Sequence, residues 1–270
     1  MVPFLHLWRL TIPTFGLMVA TAMLVSFYVL RADLHRRGIA QNNSGLAEAF
    51  VAIPSMAGII GAKLYHVLET PSDLLADPFG QIFSQYGFAW FGGLLAGVAA
   101  FLWLAKRNKI PLLAMLDAGS SAAALGYGIG RIGCFLSGDG DYGIPTSLPW
   151  GVSFPNGLVP TTARVHPTPV YEFLAFCLIA WFLWRLGKKQ LATAQHELGT
   201  PAEAKDPATG DAAPPGYVFA AYLILTGAAR FLVEFIRINP RSFLGLTNAQ
   251  LASLVSILAG AVLYWRIRKP

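Results

Sequence analysis

Arg131 lies in the stretch Gly126-Tyr-Gly-Ile-Gly130-Arg131-Ile-Gly133-Cys134-Phe, inside an apolar run that opens near Leu112. A permanent charge within a membrane helix costs about 2.5–3.5 kcal/mol on insertion scales. Something must compensate for it, and an anionic lipid phosphate suits a guanidinium. A second fixed charge, Arg230, is followed by Glu234 and Arg237, a spacing of four and then three that puts all three on one helix face. Two buried arginines suggest a bidentate phosphate site. Lys63 is a third basic residue inside an apolar run. Asp139, Asp141, His166, Tyr171 and Glu172 are among the polar residues that follow Arg131. Gly126, Gly130 and Gly133 recur at i, i+4 and i+7 and give their helix a flat face for another helix or a lipid. The plainer reading is an Arg230–Glu234 ion pair with Arg131 snorkelling to the surface. It accounts for one pair, not for so many polar groups at one depth.

The elements that must carry these residues are membrane helices. The chain is 55% hydrophobic and only 13% charged, where a soluble domain holds about 25% charged residues. Seven apolar runs are long enough to span, at about 11–30, 47–68, 88–105, 112–136, 168–186, 217–236 and 250–265. The expected fold is therefore an all-α polytopic membrane protein with seven transmembrane helices. The first run has its basic cluster behind it, at Arg31, Arg36 and Arg37, so it reads as a retained helix and not a signal peptide. With the N-terminus outside and the C-terminus in the cytoplasm, thirteen of the twenty Lys and Arg fall in cytoplasmic segments, as the positive-inside bias requires. Residues 137–167 then form an external, periplasmic loop. Residues 190–216, rich in Ala, Pro, Thr, Asp and Gly, read as a flexible cytoplasmic loop.

That orientation puts the C-terminal ends of helices two, four and six, and the start of helix five, at one level. Lys63, Arg131, Arg230, Tyr171, Glu172, Asp139, Asp141 and His166 meet there, at the outer headgroup depth. Asp117 and Glu48 lie at helix starts, where an acid suits the dipole. The net charge of +6 follows from the orientation bias and gives no reason to invoke nucleic acid. Cys134 and Cys177 have no CxxC or Cys/His metal spacing, and no cofactor is expected.

The ordered motifs resemble the prolipoprotein diacylglyceryl transferase family. They are Gly61-Ala-Lys63-Leu-Tyr65, Phe91-Gly92-Gly93, Gly130-Arg131-Ile-Gly133-Cys-Phe, His166-Pro-Thr-Pro-Val-Tyr171-Glu172, Arg230-Phe-Leu-Val-Glu234-Phe-Ile-Arg237 and Leu246-Thr-Asn-Ala-Gln250. The resemblance implies an inner-membrane enzyme facing the outer leaflet, whose partners are phosphatidylglycerol and the lipobox cysteine of a prolipoprotein signal peptide. It implies that Arg131 contacts the lipid phosphate with Arg230 as its essential partner, and that Glu234 and Arg237 complete the helix-six face. His166, Tyr171, Glu172, Lys63, Gly130, Gly133, Gly92 and Gly93 would shape the lipid site, in a monomer. The chain departs from the family at four positions: Phe91 for a His or Tyr, Cys134 for Asn, Asp139 for Glu and Lys63 for Arg.

The implied reaction has a thiolate attack the glycerol carbon bearing the phosphate ester, giving a thioether and glycerol 1-phosphate. Fixed positive charge must hold the leaving phosphate, and the thiol must lose its proton. Asp139, Glu172, Glu234 and His166 are the candidate bases, Asp139 being favoured. A thiolate stabilised by the arginine field, with no single base, is the other route. A paralogue that binds or handles an anionic lipid without catalysis is the alternative function, motivated by Phe91.

Overall fold

A computed structural model describes residues 2–8, 10–39, 45–84, 87, 89–199, 213–241 and 245–269. In chain order the elements are β1 (Phe4–Leu7), β2 (Leu10–Pro13), α1 (Thr14–Arg36), α2 (Leu46–Glu69), α3 (Pro71–Ala76), α4 (Pro78–Phe83), α5 (Trp90–Arg107), α6 (Leu112–Ser137), β3 (Val152–Phe154), β4 (Thr161–Val165), α7 (Thr168–Gly199), α8 (Tyr217–Val233) and α9 (Asn248–Arg268). A short 3-10 turn, Glu234–Ile236, extends α8. Among the described residues, six helices are long and apolar enough to cross a membrane: α1, α2, α6, α7, α8 and α9. The expected third span corresponds to α5, which has 18 residues and ends on Lys106 and Arg107. The two terminal charges shorten its apolar stretch, and α5 is not among the six.

Three stretches that the sequence leaves as loop or lead-in carry regular structure. β1 and β2 pair antiparallel before α1. The segment between α2 and α5 holds α3 and α4, each opening on a proline, where a missing N–H costs nothing. The loop 137–167 contains the antiparallel pair β3–β4, with a small core of Tyr142, Phe154 and Val165. Helix α7 runs on to Gly199, well past the expected end at 186. Lys, Gln, Leu, Ala and Glu dominate that extension and favour helix. Of the expected flexible loop 190–216, residues 190–199 are thus helical, and 200–212 lie outside the described residues.

The chain divides into two compact units, Met1–Leu30 with Leu116–Pro270, and Arg31–Met115. In the second unit α2 packs on α5 through facing glycines. A Cβ on Gly93 would lie 3.2 Å from the Gly58 carbonyl oxygen, and one on Gly92 would collide with Gly61 O and Tyr65 Cβ. Such close approach is how small residues drive helix pairing in a lipid phase.

In the first unit α6, α7 and α8 share a polar anchor at the end of α6 remote from Arg131. Asp117 is fully buried and accepts from Gln190 Nε2 at 3.1 Å, Gly216 N at 2.8 Å and Phe219 N at 2.8 Å. It therefore serves the N-terminus of α8 rather than its own helix start, the role expected of it from the sequence. Orphan amides at a helix start need such an acceptor. The core above the anchor is apolar, built from Ala124, Phe176, Ala180, Leu183 and Val218.

Candidate active site

The site in the first unit begins with how each charge is delivered. Helix α6 ends at Ser137, and Gly138 (φ 59°) and Gly140 (φ 93°) follow in the left-handed region, which glycine enters without a Cβ penalty. This reversal brings Asp141 back to Arg131. The Asp141 carbonyl is fixed by Thr168 Oγ1 at 2.5 Å, at the first residue of α7. The next residues, Gly143 and Ile144, bond to His166 O at 2.9 Å and Ile236 O at 2.8 Å. The loop is thereby pinned to the start of α7 and to the end of α8, where Arg237 stands.

Glu172, one turn into α7 and fully buried, is the hub. Its Oε2 accepts from Arg131 Nε at 2.8 Å and from Arg237 Nη1 at 3.3 Å. Its Oε1 accepts from the Tyr127 hydroxyl at 3.0 Å and lies 3.6 Å from Arg230 Nε. Asp141 bridges Arg131 Nη1, at 2.6 Å, and Arg237 Nη2. Glu234, also buried, pairs with Arg230 Nη1 and accepts from Asn239 Nδ2 at 2.7 Å. Three guanidiniums thus face three carboxylates, and the cluster is neutral. Buried charges are tolerable when paired in this way.

Arg131 and Arg230 flank opposite oxygens of one carboxylate. Neither Nη2 makes a hydrogen bond to a described residue, and neither belongs to the buried unpartnered atoms. Their side chains are 14% and 20% exposed. One accessible N–H₂ group on each arginine is left to meet an outside anion. Of the expected helix-four face, Gly133 packs on Met18 and Phe15 of α1, whereas a Cβ at Gly130 would meet nothing within 4 Å.

Asp139 stands beside the cluster without an arginine of its own. Its Oδ1 accepts from Asp141 N at 3.2 Å. Burial and the neighbouring Asp141 push its carboxyl above the usual carboxylate range. Asp141 shifts the other way: burial opposes ionisation, but Arg131 and Arg237 together outweigh it and hold the carboxyl below that range. Cys134 Sγ lies 3.2 Å from Arg131 Nη1. Single ligand atoms of Cys134, Asp139 and Asp141 fall within 4.8 Å of one another. A metal ion there would face the same guanidiniums that hold Asp141 and touch Sγ, an unfavourable environment for a cation.

The structure thus brings together Arg131, Glu172, Arg230, Glu234 and Arg237, with Asp139 adjoining. His166 and Tyr171 form a separate pair: His166 Nδ1 lies 3.2 Å from Tyr171 Oη, which accepts from Trp150 Nε1 at 2.8 Å. Lys63, Gly92 and Gly93 belong to the other unit. There Lys63 Nζ donates to Ser84 Oγ at 2.8 Å and Ser84 O at 3.1 Å, and the two glycines seat α5 against α2. Phe91 is 63% exposed. Sequence reasoning sets Asp141 at the depth of the cluster without giving it a role, and gives none to Tyr127 or Thr168. The signal for Asp141 was a second acid two residues after Asp139 in a glycine-rich turn.

The model of a family described as prolipoprotein diacylglyceryl transferase matches residues 3–266. A phosphatidylglycerol–prolipoprotein diacylglyceryl transferase of Clostridium tetani is 31% identical over 263 residues, covering 96% of this chain and 94% of the relative. Proteins of the same name from Geobacter sulfurreducens and Dehalococcoides mccartyi are 29% and 30% identical, each over 267 residues. They cover 95% and 96% of this chain and 91% of either relative. The match and the apolar helices together mark a multi-pass membrane protein.

Proposed function

The chain belongs to the prolipoprotein diacylglyceryl transferase family, and we propose that it moves the diacylglyceryl group of phosphatidylglycerol onto the lipobox cysteine of prolipoproteins. The observation that carries the proposal is the convergence of Arg131 and Arg230 on Glu172, with an accessible amino group on each. The lipid phosphate binds those two groups. The substrate thiolate attacks the glycerol carbon that bears the phosphate ester. A carbon–sulfur bond forms, the carbon–oxygen bond breaks, and its electron pair leaves on the oxygen of glycerol 1-phosphate. Fixed guanidiniums stabilise that departing charge without reorganising.

Asp139 takes the thiol proton. A carboxylate raised toward working pH is a better general base than an ordinary one, and burial raises Asp139. Glu172, Glu234 and Asp141 are each engaged by arginines. Arg237 and Glu172 act as positioning residues, Glu234 orients Arg230, and His166 with Tyr171 braces the loop at the headgroup wall.

The topology proposed with this function has seven crossings, α5 being the third, with the N-terminus periplasmic and the C-terminus cytoplasmic. The site then faces the outer leaflet of the inner membrane, and the protein acts as a monomer. Basic residues in the last turns of α1, α5 and α9 support this orientation. Phe91 favours a second reading, a paralogue that binds an anionic lipid without turnover, because Phe cannot accept a proton.

The test is lipidation of a lipobox peptide by purified protein with phosphatidylglycerol. Turnover is expected for the wild type, and loss of at least about a hundredfold for Arg131→Ala or Arg230→Ala. Full turnover by both variants refutes the assigned roles. Phosphatidylglycerol binding with no turnover by the wild type selects the paralogue.

A further inference from the structure

Arginine grips a phosphate best as a fork, through two adjacent N–H groups. Arg131 has two such edges, Nε with Nη2 and Nη1 with Nη2. Glu172 occupies the first through Nε, and Asp141 the second through Nη1. Arg230 is similar, with Glu172 beside Nε and Glu234 on Nη1. Three of these four engagements involve carboxylates that are fully buried and held by other partners. Asp141 differs: its side chain is 29% exposed, and it stands on a turn between two arginines, as a bound phosphate monoanion would.

We infer that the Asp141 carboxylate is a built-in stand-in for the lipid phosphate, and that an anionic headgroup binds by displacing it from Arg131. The backbone of Asp141 stays tied to Thr168, so the exchange is a side-chain rotation. Arg237, which is almost fully buried, keeps the displaced carboxylate company. Because Nε and Nη1 of Arg131 are both engaged, an added anion without this exchange would meet Nη2 alone and find no open fork. Asp141 thus sets a threshold: a firmly anionic phosphate competes with it, and weakly held or zwitterionic headgroups do not. This rests on the reading of Arg131 as the phosphate ligand proposed above.

The experiment titrates the full chain, in neutral detergent micelles, with dioleoylphosphatidylglycerol and separately with dioleoylphosphatidylcholine, by calorimetry. Asp141→Asn and Asp141→Ser should each bind phosphatidylglycerol at least about tenfold more tightly than wild type, since a competing charge is gone, with no change for phosphatidylcholine. Equal or weaker phosphatidylglycerol binding by folded variants overturns the displacement role, while leaving the phosphate site itself standing. Absence of any phosphatidylglycerol preference in the wild type overturns the site and the displacement together. A second measurement needs no variant. Carbodiimide with glycinamide, read by peptide mass spectrometry, should label Asp141 of the wild type faster with phosphatidylglycerol than with phosphatidylcholine. Identical labelling also overturns the exchange.

Discussion

At the residue scale the site is decided by what each acid is left free to do. Like charges 4 Å apart repel by about 4 kcal/mol at an effective dielectric of 20, so three arginines cannot be crowded without partners. Glu172, Glu234 and Asp141 supply them, and this commitment leaves Asp139 as the acid proposed to take the thiol proton. Its raised pKa has a directional consequence. The base must be ionised to work, so turnover falls as pH drops through that raised value. The acid limb of kcat/KM should therefore lie above the usual Asp value of about 3.9. Asp139→Asn should remove that limb and lower kcat/KM by about 10²–10⁴-fold. A variant that keeps the limb in place would assign the proton to another group. The arginines were legible in the sequence because a fixed charge in an apolar run has a known cost. The hub role of Glu172 was not, because its partners lie 41 and 65 residues away, and only packing joins them.

At the scale of elements, glycines that look alike in sequence do different work. Gly130 and Gly133 sit one turn apart in the same motif, yet only Gly133 is pressed against α1. Gly92, read as a lipid-contact residue, meets the backbone of Gly61 in α2. The sequence marked close approach at Gly130 and Gly133 but not to what, since a glycine carries no information about its neighbour. The difference is measurable. Gly92→Ala should destabilise the α2–α5 pair by about 1–3 kcal/mol, the usual cost of overpacking, seen as a lower unfolding temperature in detergent. Gly130→Ala should leave that temperature unchanged because the space beside it is open. Reversal of the two results would mean that α2 and α5 do not pack as described. The same limit of sequence reading applies to Asp117, whose acid character suited a helix start but whose partners belong to α7 and α8.

For the whole molecule, each expected apolar run overlaps a long helix, but α1 runs on to Arg36 and α7 to Gly199, past the expected ends at 30 and 186. The short elements β1–β4, α3 and α4 escaped because three to six residues carry too little periodicity to stand out from a loop. Orientation follows from charge, not from packing: His35 and Arg36, Lys106 and Arg107, and Arg266 and Arg268 close α1, α5 and α9. If these three ends share the cytoplasmic side, the β3–β4 loop lies outside and the segment after α7 lies inside. Two single cysteines introduced into a Cys177→Ser background test this. Cys134 is buried and stays in place. Ser147→Cys, in the exposed loop before β3, should react with a membrane-impermeant maleimide on intact spheroplasts. Lys205→Cys, outside the described residues, should react only after the membrane is opened. Labelling in the opposite order would put the arginine cluster at the cytoplasmic leaflet, where no translocated prolipoprotein thiol could reach it.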